Sequence, residues 1–201
     1  MDTSSVHNVS SLLTFSRQVA PGISLKTLTE EDADSLFAVT HANRAYLRRW
    51  MPWLDGTKTV ADSLAFIQSM RVQASNQTGF TAAIRVENQI AGVAGFHTID
   101  WNNRIATMGY WLAEAHQKRG IMTRAAQVLI DFGFAALNVN RITVSCAVDN
   151  KRSRAVPERL GFTYEGTVRD AEWLYTRYVD HAIYSLLQRE WQARVLRAGQ
   201  G

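Results

Sequence analysis

Cysteine and long apolar runs are scarce in this sequence of 201 residues. Its one cysteine, Cys146, excludes an internal disulfide and any cysteine-rich zinc module. No apolar run approaches the roughly 18 residues of a membrane span, and residues 1–5 lack the basic start of a secretory signal. We therefore expect a cytoplasmic protein with one main domain, because a typical domain has about 100–200 residues.

Several motifs of metal and nucleotide chemistry are also absent. The five histidines are scattered and form no HExxH pair, so we expect no metal site. The chain has no GxGxxG, GxxxxGK[ST] or GxSxG, which argues against a dinucleotide fold, a P-loop and a serine hydrolase. The net charge of +4 is spread along the chain. It suits a small phosphate-bearing ligand, whereas nucleic acid would require a basic stripe.

The pattern of apolar residues predicts a mixed α/β or α+β domain. Period-two alternation predicts strands at 23–28, 80–86, 90–99, 105–112, 142–148, 162–168 and 178–187. Helical spacing and capping signals predict helices at 33–37, 44–53, 59–75, 119–137, 151–160 and 188–196. This order predicts an N-terminal extension over residues 1–20, a single domain over 21–190 and a C-terminal tail over 191–201.

The junction at residues 109–123 is the most informative local feature. A predicted strand ends near Leu112, a short polar loop follows, and an apolar-periodic helix starts beside Gly120. The first turn of a helix has unpartnered N–H groups and a positive dipole end, which favour an anion. Lys118 and Arg119 add charge there, and Gly120 permits close approach of a ligand. An ordinary strand–helix turn with two solvated basic residues fits the pattern equally well.

Two segments together resemble one known superfamily. Residues 117–122 (QKRGIM) resemble the Q/R-x-x-G-x-G/A pyrophosphate loop of the GNAT acetyltransferases, with Met122 replacing the last small residue. Residues 150–162 (NKRSRAVPERLGF) resemble its N-x-x-S…E-[KR]-x-G-F segment. The GIMT form of the loop, the Tyr-Trp-Leu strand and residues 164–172 resemble the RimJ/RimL branch, the ribosomal-protein N-terminal acetyltransferases. The likeness extends from about residue 23 to residue 187.

The resemblance implies a fold and a donor substrate. The fold is a mixed, mostly antiparallel central sheet flanked by helices and splayed between the strand ending near Leu112 and the strand at 141–148. The donor is acetyl-CoA, with no metal, and Lys151 is a further candidate for its adenosine phosphates. The implied binding residues are Tyr110, Trp111, Leu112, Gln117, Lys118, Arg119, Gly120, Ile121, Met122, Thr123, Asn150 and Ser153.

The resemblance also implies catalytic residues. Glu172 is the expected general base for the amine, directly or through a water, and Ser153 is the expected acid for the leaving thiolate. Simpler readings remain open, because Asn150 and Ser153 are common helix caps and most glutamates are solvated. His181 fits an edge or core histidine better than a catalytic one. Cys146 fits inert packing.

The acceptor is the least determined part of the prediction. A protein N-terminus, of a ribosomal protein above all, is the leading acceptor, and a polyamine or antibiotic amine is the alternative. A non-catalytic acetyl-CoA-binding module, a nucleic-acid-binding domain and a homodimer also stay open. Trp50 and Trp53 belong either to the core or to the wall of the acceptor cleft.

Overall fold

A computed structural model of the chain describes residues 10–198. Within that range the strands are β1 (Ser16–Ala20), β2 (Ile23–Thr27), β3 (Phe80–Val86), β4 (Gln89–Asp100), β5 (Ile105–Leu112), β6 (Arg141–Ala147), β7 (Thr163–Leu174) and β8 (Arg177–Leu187). The α-helices are α1 (Ser10–Leu13), α2 (Ala33–Ala42), α3 (Arg44–Leu47), α4 (Val60–Ser75), α5 (Ile121–Ala135), α6 (Lys151–Arg159) and α7 (Gln188–Ala198). Short 3-10 turns lie at Glu30–Asp32, Pro52–Asp55 and Glu114–His116. Over the described residues no helix is both long enough and apolar enough to cross a membrane.

The N-terminal segment differs from the sequence-based expectation. No element is predicted before residue 23, yet β1 joins the sheet as the antiparallel neighbour of β2, with Arg17 opposite Leu25. Its side chains are exposed or half-buried, so apolar alternation does not mark it. The predicted extension over residues 1–20 therefore includes a strand of the sheet, and its first nine residues lie outside the described chain.

One sheet contains all the described strands, in the order β1-β2-β3-β4-β5-β6-β8-β7. Every neighbouring pair is antiparallel except β5 and β6, which are parallel. Parallel neighbours require a crossover connection, and α5 provides it. This is the mixed, mostly antiparallel sheet that the resemblance implies.

The splay between β5 and β6 is also confirmed. The two strands pair over only three positions, from Ile105 opposite Arg141 to Thr107 opposite Thr143. Beyond Thr107 they diverge, although β5 continues to Leu112 and stays paired with β4 on its other side. A wedge therefore opens in the middle of the sheet.

Both faces of the sheet are covered by helices. On one face α5 buries its apolar side against an aromatic cluster in which Phe15, Phe80 and Phe132 have ring centroids 4.7–5.7 Å apart. On the other face, helices α2 to α4 pack against residues such as Trp111. Because both faces are covered, β3 is almost continuously buried. Helix α4 begins at the predicted capping box, in which the Thr59 N–H donates to Asp62 at 2.8 Å.

Candidate active site

A cleft of about 360 Å³ opens where β5 separates from β6. Its lining comes from four parts of the chain, within residues 46–51, 110–112, 116–123 and 150–159. These are α3 with the turn after it, the end of β5, the loop that leads into α5, and α6. All of the predicted donor-binding residues except Arg119 and Lys151 line this one cavity.

The end of β5 presents a free backbone edge to the cleft. Tyr110, Trp111 and Leu112 lie beyond the last pair that β5 makes with β6. On that side the N–H and C=O groups of alternate residues face the opening and not a neighbouring strand. Backbone groups are strong donors and acceptors, and an extended ligand that carries amides can pair with them as another strand would.

The start of α5 forms the opposite wall and is suited to an anion. Gly120, the N-cap residue, has φ +69°, and no side chain caps the helix within the described residues. The first intrahelical bond there runs from the Arg124 N–H to the Gly120 carbonyl, so the N–H groups of residues 121–123 have no partner within the helix. A Cβ atom built at Gly120 would lie 3.9 Å from the Arg124 guanidinium, its nearest neighbour. The space in front of the helix N-terminus is therefore open to a phosphate group.

The positive charge around this N-terminus comes only in part from the predicted residues. Lys118 lines the cleft, but Arg119 turns toward His116, with 3.4 Å between Nη1 and Nδ1, and lies outside the lining. Lys151 is exposed and also lies outside it, whereas its neighbour Arg152 lines the cleft. Arg152 donates from Nη1 to Oε1 of Gln117 at 3.0 Å. Arg152 thus connects α6 to the loop before α5.

We expect Arg152→Ala to weaken acetyl-CoA binding about tenfold, because it removes a cation and a fork of donors from the cleft. Lys151→Ala is the matched control, since it removes the same charge one residue away and outside the lining. Isothermal titration calorimetry with acetyl-CoA measures both. Equal losses of affinity in the two variants would contradict the assignment and indicate only long-range attraction.

Asn150 and Ser153 begin α6 beside the cleft, and the capping interpretation of Asn150 is confirmed. The Asn150 Oδ1 accepts the Ser153 N–H at 3.2 Å. This bond uses the side-chain oxygen of Asn150 and leaves its NH₂ group free to donate toward the cleft. The Ser153 carbonyl accepts the Tyr110 hydroxyl at 3.0 Å, which ties α6 to β5 across the wedge.

Two other acidic groups lie near Ser153, and neither ionises readily. Burial raises the pKa of the Tyr110 hydroxyl well above its usual value, and a hydrogen bond with Ser153 only partly opposes this. Burial likewise raises the pKa of the Cys146 thiol to about 11. Cys146 is therefore a protonated, buried group at neutral pH, as expected for packing. Ser153 carries the one hydroxyl side chain of α6 and lines the cleft.

Ser153→Ala separates the catalytic role of Ser153 from a capping role. The variant keeps the backbone N–H that Asn150 accepts, so we expect the melting temperature to stay within a few degrees of wild type. If the hydroxyl protonates the leaving thiolate, kcat should fall about 10- to 100-fold with acetyl-CoA affinity retained. A variant that loses stability but keeps its kcat would show that Ser153 serves only the helix.

Glu172 lies outside the cleft lining, on β7. A bulge precedes it: Val168 is opposite His181 and Glu172 is opposite Val179, so three residues of β7 oppose one of β8. The bulge re-aims the strand, and the Glu172 Oε2 lies 3.1 Å from the His181 Nε2. The structure does not bring Glu172 and Ser153 into contact, and their catalytic roles stay predictions.

Glu172 is nevertheless connected to one end of the cleft through a shared neighbour. Trp50 lines the cleft and packs against a small apolar cluster formed by Ala147, Leu174 and Val179. Val179 is the cross-strand partner of Glu172. Of the two tryptophans for which the sequence left core and cleft wall open, Trp50 is in the wall. Trp53 is 47% exposed and not in the lining.

Several lining residues were not predicted as site residues. They are Tyr46, Leu47, Met51, His116, Arg152, Ala155, Val156 and Arg159. Arg152 lies inside the N-x-x-S segment, so its place in that motif is the signal that could have identified it as a lining residue. The residues of α3 show only helical spacing, which does not distinguish a core side chain from a cleft wall.

Comparisons with known proteins agree with this geometry. A protein-family profile described as "Acetyltransferase (GNAT) domain" matches residues 23–163. The chain is similar to the putative ribosomal N-acetyltransferase YdaF of Bacillus subtilis (strain 168), with 34% identity over 180 residues that cover 89% of this chain and 98% of that protein.

Two solved structures are similar over most of the chain. One is the microcin C7 self immunity acetyltransferase MccE in complex with acetyl-CoA and AMP, with a TM-score of 0.82 and 31% identity over 89% of this chain and 99% of that one. The other is RimL, a ribosomal L7/L12 alpha-N-protein acetyltransferase, in complex with coenzyme A, with a TM-score of 0.82 and 28% identity over 85% of this chain and 96% of that one.

Proposed function

The chain belongs to the GNAT acetyltransferase family, within its RimJ/RimL type, and on this premise we propose that it acetylates the N-terminal α-amino group of a protein. The sequence motifs predict this family, and the profile match confirms it. The enzyme is therefore an acetyl-CoA-dependent N-acetyltransferase. The ribosomal relatives support a ribosomal protein as the acceptor and the cytoplasm as its place of action.

The observation that carries the proposal is the pairing of two features at one opening of the sheet. One is the unpaired edge of β5, and the other is the uncapped N-terminus of α5 behind Gly120. The edge fits a ligand that carries amides, and the helix N-terminus fits its phosphates. Lys118 and Arg152 add positive charge where phosphates would lie, and Asn150 offers an NH₂ group beside the edge.

A few groups of the protein would then carry out the acetyl transfer. When bound, acetyl-CoA would supply a thioester: the amine nitrogen bonds to its carbonyl carbon, the carbon–sulfur bond breaks, and the CoA thiolate leaves. Strand-edge N–H groups near Leu112 would polarise that carbonyl, as oxyanion donors do. Ser153 would return a proton to the sulfur, and Glu172 would take one from the amine. An α-amino group has a pKa of about 7.7–8.0, so the base has modest work to do at neutral pH.

The carboxylates near the cleft favour a monoamine over a polyamine. A polycation would require several free carboxylates around the opening. Asp55, the nearest acidic residue of the α3 side, is held in an ion pair by Arg48 at 2.6 Å. Glu172 is engaged by His181. Both carboxylates are therefore already engaged within the protein, which disfavours a second ammonium group beside them.

A second candidate acceptor is a small-molecule amine linked to a nucleotide. The similarity to MccE, whose structure contains AMP, favours it, as do the aromatic side chains Tyr46 and Trp50 in the cleft. Aromatic faces stack on nucleobases in a way that a peptide acceptor would not require.

An acceptor panel tests the proposal. The full chain is incubated with acetyl-CoA and peptides that begin with serine or alanine, each matched by the same peptide with a blocked α-amino group and an internal lysine. Spermidine, an aminoglycoside and an aminoacyl-adenylate analogue complete the panel, and thiol release together with mass spectrometry reads the product. We expect acetylation of the free peptides alone. Turnover of a small amine with no peptide product would contradict the proposed acceptor.

A further inference from the structure

Three polar side chains from adjacent strands form a hydrogen-bonded chain on one face of the sheet. Ser145 of β6, His181 of β8 and Glu172 of β7 are its members. The Ser145 Oγ lies 2.9 Å from the His181 Nδ1, and the His181 Nε2 lies 3.1 Å from the Glu172 Oε2. The His181 side chain is 19% exposed and that of Glu172 is 33% exposed. The imidazole is thus largely enclosed between its two partners.

The register explains why these groups meet. Directly opposed residues of antiparallel strands share a face, and so do residues two apart on one strand. His181 is opposite Ala147, and Glu172 is opposite Val179, which is two residues from His181. The bulge after Val168 sets three residues of β7 against one of β8. Glu172 therefore lies further along the strand and still on the same face of the sheet. The bulge is itself held by a bond from the Asp170 N–H to the Asp180 Oδ1 at 2.9 Å.

The donor and acceptor capacities of the three side chains fix the direction of the hydrogen bonds between them. An ionised carboxylate only accepts, so the His181 Nε2 must carry a proton and donate to Glu172. In the neutral imidazole the Nδ1 atom then accepts, and the Ser145 hydroxyl donates to it. This occupies one oxygen of Glu172 and leaves its Oε1 free for another proton.

These three side chains share neighbours with Trp50, which lines the cleft. Ala147 and Val179, the cross-strand partners of His181 and Glu172, belong to the apolar cluster on which Trp50 packs. Glu172 also acts electrostatically on Tyr175, which donates from its hydroxyl to the Arg48 carbonyl at 2.6 Å.

We propose that His181 is a positioning residue for Glu172, holding its carboxylate in one orientation so that the free oxygen accepts the proton of the acceptor amine. The proposal rests on the proposed function, in which Glu172 is the general base. With its Nε2 already protonated, His181 has no free site on that nitrogen for a proton from Glu172, so the role proposed for it is orientation of the carboxylate. In this arrangement Ser145 selects the tautomer and takes no part in bond making.

A double-mutant cycle tests the proposal. We expect His181→Ala to lower kcat about tenfold with the KM for acetyl-CoA unchanged, because the carboxylate loses its fixed orientation. His181→Gln should recover to within about threefold of wild type, since the glutamine Nε2 can donate to Glu172 in place of the imidazole. In the Glu172→Gln background, His181→Ala should cause no further loss, because coupled residues are non-additive. Melting temperatures of all variants show that they are folded.

Other outcomes overturn the proposal. One is an equal fold loss of kcat from His181→Ala in the wild-type and the Glu172→Gln backgrounds. The others are a folded His181→Gln variant as slow as His181→Ala, or a Glu172→Gln variant as fast as wild type. Ser145→Ala is expected to reduce kcat only about two- to threefold. Loss of all turnover in that variant, together with an acetyl group on Ser145 of the wild-type protein by mass spectrometry, would identify a nucleophile instead. The double-mutant cycle is run with whichever amine the acceptor panel identifies. A wrong peptide assignment therefore shows in the panel and not in the cycle.

Discussion

Replacing Gly120 by glutamate is expected to abolish acetyl-CoA binding and leave the fold intact. The open space in front of α5 admits a side chain, since a Cβ at this position comes no closer than 3.9 Å to Arg124. The new carboxylate would take the N–H groups of the first turn and repel the pyrophosphate. Loss of two charge-assisted hydrogen bonds of about 1.5–3 kcal/mol each corresponds to an affinity loss of roughly 100-fold or more.

Gly120→Ala is the matched control for Gly120→Glu. It imposes the same left-handed strain, because φ is +69°, but it adds neither charge nor bulk that reaches the phosphates. Alanine in that conformation costs about 1–2 kcal/mol, which should appear in the melting temperature of both variants. Calorimetry should then show near-normal acetyl-CoA affinity in Gly120→Ala and none in Gly120→Glu. Unchanged affinity in a folded Gly120→Glu variant would place the pyrophosphate elsewhere.

Glu172→Gln is expected to lower kcat by about 10²–10⁴-fold at neutral pH, the usual contribution of a general base. Glutamine keeps the size of the side chain, and its carbonyl can still accept from His181, so acetyl-CoA affinity should hold. The loss should shrink as the pH rises, because above the pKa of the amine most of the substrate is already neutral. Steady-state kinetics from pH 6 to pH 9 with an identified acceptor measures this.

Glu165→Gln is a closely matched control for Glu172→Gln. Glu165 lies on the same strand with a similar side-chain exposure, 35% against 33%, but it pairs with Arg141 and not with His181. Bonds from Arg141 and Ser185 hold the pKa of the Glu165 carboxyl below its usual value, so its substitution should cost stability and not turnover. A kcat for Glu172→Gln within about threefold of wild type would mean that Glu172 is not the base.

The features that local sequence predicts best are those that short-range geometry decides. The strand over 105–112, the helix that starts beside Gly120, and the cap at Asn150 all depend on residues within a few positions of one another. Burial of Cys146 follows from alternation along its own strand. The N-terminal strand was missed because an exposed edge strand has no apolar face to reveal it.

The direction of individual side chains around the cleft was harder to predict. Lys118, Arg119, Lys151 and Arg152 are all basic residues next to a motif, and composition alone ranks them equally. Only two of them line the cleft, because the turn of α6 and the loop before α5 rotate the others outward. Such rotations depend on how α6 packs on the sheet, and no local period records that packing.

By itself the sequence determined the family and the donor class, because two short runs of neighbouring residues, 117–122 and 150–162, carry the motifs. Tertiary structure alone decided that β5 and β6 part after Thr107, which places Tyr110 against Ser153 across the wedge. It also decided that Glu172 meets His181 and Ser145, since this depends on the register of three strands and on one bulge. Register between distant strands is set by packing of the whole sheet, and a one-residue slip would turn these side chains to the opposite face.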